Sequence, residues 1–107
     1  MRYIPERDWK KLRALKEELL QEACDRILDK VKALLKNKGQ NNHETYLLLW
    51  KLMKKEDDKI ADMFDDFKRS TAIMKLATWY DYKLIDSDTL KQFSEETQKS
   101  VESIFQL

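Results

Sequence analysis

The sequence predicts an all-α protein, an elongated helical bundle built from a long antiparallel hairpin and two or three shorter C-terminal helices. Three observations carry that expectation. The 107 residues contain one glycine and one proline, so few positions favour a sharp turn. Charged residues make up 38% of the chain and are interleaved with Leu and Ala, as on helices with long solvated faces. Apolar residues recur at i, i+3, i+4 and i+7 through most of the chain. The length fits one domain, 1–107. With 42% hydrophobic residues, including three Trp, four Tyr and four Phe, a packed core is affordable and disorder is disfavoured.

The first helix is expected over 6–37. Pro5 suits a helix start, and Glu6 and Asp8 favour the positive end of the dipole. Its stripe runs Trp9, Leu12, Leu19, Leu20, Ala23, Ile27, Val31, Leu34. Arg13 and Lys16 interrupt the stripe, which suggests either stems that lie along apolar surface with their charges in water or a frayed first turn. Gly39, the only glycine, stands where a left-handed C-cap would be placed.

A second helix is expected over 43–69, with Asn42 as its N-cap. Tyr46, Leu49, Met53, Ile60, Phe64 and Phe67 make one stripe at 3.6 residues per turn. Leu47 and Leu48 lie off it, so the first two turns are apolar on nearly every side. After Arg69 the pattern rotates: Ile73, Leu76, Ala77 and Tyr80 form a face pointing elsewhere. This predicts a break near Ser70–Thr71, with a third helix or a continuation over 71–83. Asp86 is the expected N-cap of a short helix over 87–93. "SEETQKSVESIF" opens a last helix over 95–105, capped by Ser94, with Val101, Ile104 and Phe105 facing inward.

Two helices of this length each reach roughly 40–50 Å, whereas a compact domain of this size has a radius of gyration of about 13 Å. A hairpin so drawn out leaves "YLLLW" and "AIMKLATWY" short of cover. A homodimer that buries those faces is therefore expected, with Ile73, Leu76, Trp79 and Tyr80 at the interface or in a groove for a partner helix. A formal net charge of +1 removes one obstacle to self-association, and it disfavours a dedicated nucleic-acid binder.

The stretch "EDDKIADMFDD" holds six carboxylates in eleven positions. On a helical wheel Asp58, Asp62 and Asp65 project away from the apolar stripe, and Asp66 sits on their flank. Like charges at i, i+4 destabilise a helix by about 0.2–0.5 kcal/mol per pair, so the row breaks a local rule. Three readings follow. The row is a solvated face, it holds a hard cation, Mg²⁺ or Ca²⁺, through Asp58, Asp62, Asp65 and Asp66, or it docks a basic protein partner. The second reading leads to a divalent-metal-dependent enzyme acting on a phosphorylated small molecule. Glu56 and Asp57 fall instead at the edge of the apolar stripe, where they need a cationic neighbour or water.

Other chemistries are disfavoured by their residue counts. A lone Cys24 excludes an internal disulfide, and a single thiol suits a reducing cytoplasm. His43 alone cannot supply the paired ligands of a di-iron bundle, nor, with one cysteine, a zinc site. One glycine rules out a Gly-rich phosphate loop. "YLLLWKLM" is too short to span a bilayer, and the first residues lack an apolar signal region, so a soluble protein is expected. The sequence thus favours a non-enzymatic interaction or self-associating module, with the metal-dependent enzyme as the alternative.

Overall fold

A computed structural model describes residues 4–105. Among them every regular element is helical: α1 (Glu6–Lys36), α2 (Asn42–Phe64), a 3-10 turn (Arg69–Thr71), α3 (Ala72–Asp81), α4 (Ser87–Leu90) and α5 (Glu95–Phe105). α1 and α2 form the expected long hairpin, and the shorter helices fold back against one end of it.

The helix ends follow local chemistry. Pro5 is the N-cap of α1, and its carbonyl accepts the Trp9 N–H at 2.9 Å. At the other end Asn37, not Gly39, closes the helix: its Nδ2 donates to the Ala33 carbonyl at 2.9 Å. No glycine takes the left-handed conformation, so the glycine cap read from the sequence is not used. Asn41, one residue before the expected cap, starts α2 by accepting the Glu44 N–H at 3.0 Å.

α2 ends five residues before the expected boundary, at Phe64 rather than 69. Asp65 is extended at ψ 154°, and Asp66 turns left-handed at φ 53°. Aspartate tolerates that conformation better than most residues. The Thr71 hydroxyl then fixes the turn, donating to the Asp66 carbonyl at 2.7 Å. The break therefore lies at Asp65–Asp66 and not at Ser70–Thr71. Its effect is to swing Phe67 between Trp9 and Trp79, with ring centroids at 5.5 and 5.9 Å.

α3 ends in a Schellman motif whose left-handed position is Lys83, at φ 59°. Leu84 N–H reaches the Trp79 carbonyl at 2.8 Å, and Lys83 N–H reaches that of Tyr80 at 3.1 Å. Asp86 caps α4 as expected, accepting the Thr89 N–H at 2.9 Å. α4 closes at Leu90, shorter than the expected 87–93.

The core sits where α3 and α5 meet the base of the hairpin. Trp79 is fully buried at its centre, and its indole N–H donates to the Met63 carbonyl at 3.0 Å. Leu12, Phe64, Leu76, Phe93 and Val101 pack in the same cluster. Arg13 and Lys16 lie over the Trp9 and Phe67 rings, at 5.4 and 4.6 Å, so both stems run along apolar surface as expected.

One buried acid ties the base together. Asp8 is fully buried, and it accepts the Ser94 N–H at 3.1 Å and the Ser94 and Thr97 hydroxyls at 2.5 Å each. Burial pushes its carboxyl up, but these donors outweigh it and hold the group below the usual range. Asp8 thereby fastens the start of α5 to the first turn of α1.

Above this base the hairpin runs on without cover. From position 24 to position 55 no residue is buried. The molecule measures 53 × 27 × 22 Å, and its radius of gyration is 16.7 Å against about 13 Å for a compact chain of this length. It consists of a packed body and a projecting helical arm.

Candidate functional site

Among the described residues the carboxylates of the acidic stretch do not gather into one cluster. Because α2 stops at Phe64, only Asp58 and Asp62 stay on the outer helix face, while Asp65 and Asp66 leave it in the turn. Asp62 accepts the Tyr82 hydroxyl at 3.1 Å, and Asp66 pairs with Lys68 at 3.4 Å. Among the described residues no group of three His, Cys, Asp or Glu side chains gathers to hold a metal ion. The set Asp58, Asp62, Asp65 and Asp66 is thus dispersed by the helix end.

Glu56 behaves differently from the row. It is buried at the root of the arm, where Lys30 of α1 donates to Oε1 and Lys59 Nζ lies 3.2 Å from Oε2. Burial raises the carboxyl, and the two ammoniums overcome it and set the group below its usual range. The cationic neighbour that a stripe-edge acid requires is therefore present twice. This clamp joins the two helices of the arm and borders a groove of about 240 Å³ with Ile60, Tyr82 and Lys83.

The residues expected at an interface on α3 are largely taken up by the chain's own core. Leu76 and Trp79 are fully buried in the chain's own core, and Ile73 is half-buried against it. Tyr80 is partly exposed and packs near the Phe105 ring at 6.1 Å. α3 spends most of its apolar face inside the body, so of these residues only part of Ile73 and the edge of Tyr80 reach the surface.

Most of the uncovered apolar surface lies on the arm. Trp50 is 60% exposed, Tyr46 and Leu28 are 56%, Leu35 is 48% and Met53 is 42%. Their placement follows from the grooves between the two helices. On one side of the hairpin the grooves are lined by Arg26, Lys30, Ala33 and Asn37 from α1 and by Glu44, Leu48, Leu52 and Lys59 from α2. At 100° per residue, Leu28 and Leu35 of α1 and Tyr46, Trp50 and Met53 of α2 all project to the opposite side. Both helices thus contribute to one apolar face. Within it the Trp50 indole N–H donates to the Tyr46 hydroxyl at 3.1 Å, and the His43 ring stacks near Tyr46 at 6.3 Å.

Part of this face was visible in the sequence. Tyr46 and Met53 belong to the same α2 stripe as Phe64 and Phe67. The body covers the Phe64 end, and nothing in the chain covers the Tyr46 end. Trp50, Leu28 and Leu35 were missed, because they sit beside the stripes rather than on them. The signal that finds them is the antiparallel register, which the Lys30–Glu56 contact supplies.

Among the described residues no helix is long and apolar enough to cross a membrane. Comparison with protein-family models, curated proteins and solved structures found no match.

Proposed function

We propose that this chain is a non-enzymatic protein-interaction module whose working surface is the apolar side of the arm, and that it self-associates as a homodimer through that surface. One observation carries the reading: five large apolar side chains from two helices lie at least two-fifths exposed on a single side of a projecting element. Large exposed apolar patches mark interaction sites on soluble proteins. The formal net charge of +1 opposes association little. A single cysteine suits work in a reducing, cytoplasmic setting. The metal-dependent alternative has no comparable support, since its carboxylates do not converge.

Sedimentation equilibrium tests the reading. The wild-type chain is expected to show a concentration-dependent mass that approaches twice 12.9 kDa. Trp50→Glu with Met53→Glu is expected to remain folded and monomeric. A wild-type mass that stays at one chain at every concentration removes the self-associating part of the proposal.

A further inference from the structure

We infer that the partner on this face is a second copy set antiparallel, with the two-fold axis crossing α2 between Lys55 and Glu56. The inference deepens the proposed self-association and rests on it. It starts from the charges that share the apolar side. At 100° per residue Lys54 and Asp57 flank the direction in which Trp50 projects, and Ala61 follows one turn beyond Asp57. Lys54 and Asp57 are both exposed, and among the described residues neither makes an ion pair or hydrogen bond within the chain. Two opposite charges therefore stand unused beside an unused apolar patch.

A symmetric dimer must bring each surface against itself. If the two arms lay parallel, Lys54 would meet Lys54 of the copy and Asp57 would meet Asp57, and such like-charge juxtaposition opposes binding. Set antiparallel about the stated axis, Lys54 of each copy comes level with Asp57 of the other, twice over by symmetry. The same register places Trp50 level with Ala61 of the copy, a small residue opposite the largest side chain. Shifting the arms by one turn in either direction separates both charge pairs and sets Trp50 against a different level.

The exposed area bounds the interface. At roughly 200 Å² per large side chain, five half-exposed residues offer on the order of 500 Å² per copy. Complete cover of both patches would bury about 1,000 Å², the lower limit for a specific interface. In this register Trp50 gains cover while Tyr46 comes level with the Asp65 turn of the copy, so the buried area stays below that limit. A dimer of this size belongs to the weak, reversible class, and its charge pairs set register more than strength.

A charge-swap cycle tests the pairing. Dimer dissociation constants are measured by sedimentation for wild type, Lys54→Glu, Asp57→Lys and the double variant, with circular dichroism to check the fold. Each single variant is expected to weaken the dimer by roughly tenfold or more, since each places two like-charge pairs at the interface. The double variant restores the opposite charges and is expected to return within about threefold of wild type. A wild-type dimer whose single variants do not weaken it, or whose double variant is no better than the worse single, overturns this pairing and leaves self-association standing. A wild-type chain that never dimerises overturns both.

Discussion

Trp79 and Trp50 are the same residue in two parts of one helical chain, and they have opposite fates. Trp79 is fully enclosed by the body, with its N–H on the Met63 carbonyl. Trp50 stands 60% exposed on the arm, with its N–H on a neighbouring tyrosine. The surroundings of each explain why. Around Trp79 the chain returns repeatedly, through α1, α2, α3 and α5. Around Trp50 it passes only as a hairpin, and two helices can cover only the sides that face each other. In the body apolar surface builds stability; on the arm it stays in contact with solvent.

Substitutions at four positions break or sharpen that contrast. Trp79→Ala has the largest expected effect, because it empties the centre of the body and leaves the Met63 carbonyl without its donor. The cost is expected at about 3–5 kcal/mol, enough to unfold a marginal domain, as read by urea denaturation.

Asp8→Ala comes next. It strips the partner from the Ser94 N–H and two hydroxyls, and about 1–3 kcal/mol is expected to be lost. Acid probes the same contact. The folded Asp8 and Glu56 carboxyls both sit below their ordinary values. Their contribution is therefore complete above the unfolded carboxyl range, about 4, and drains away as pH falls through the lower folded values. Denaturation midpoints should fall below pH 4, and Asp8→Asn should fall less steeply there than wild type.

Glu56→Ala releases the clamp between α1 and α2 at the root of the arm. Its lysine partners reach solvent, so only about 1 kcal/mol is expected. The sharper readout is amide hydrogen exchange, which should rise in the arm and not around Trp79. Trp50→Ala is the smallest effect on stability, within about 0.5 kcal/mol in the monomer, because little is buried there. The same substitution should weaken self-association, which separates what the arm does from what holds the body together.

The contrast also explains what could be read in advance. The helical class, the hairpin and the caps at Asp86 and Ser94 were legible, because each follows from local periodicity and side-chain chemistry. The end of α2 was not. Phe64 and Phe67 are three residues apart, so the wheel carries the helix straight through Asp65 and Asp66. The stacking of Phe67 between Trp9 and Trp79 is a tertiary contact that local spacing does not reveal. The same gap displaced the expected metal residues, since Asp65 and Asp66 belong to the turn. Leu76 and Trp79, expected at an interface, are buried in the chain's own core for a related reason. An apolar stripe demands cover, but it does not say whether the cover comes from the same chain. Asp8 went unnoticed as a buried hub because an acid in the first turn is already accounted for by the helix dipole.

The Asp8–Ser94 contact joins positions separated by 86 residues. Such a contact carries a large loop-closure cost and forms only after both segments are in place. The hairpin needs far shorter loops, and its contacts can form early. During synthesis α1 and α2 are complete before position 94 exists, so the arm stands with its apolar side bare while the body is still open. The latch that gives this protein its stable end is thus expected to close last. Refolding followed at Trp79 should be slowed by Asp8→Ala only if that closure belongs to the rate-limiting step.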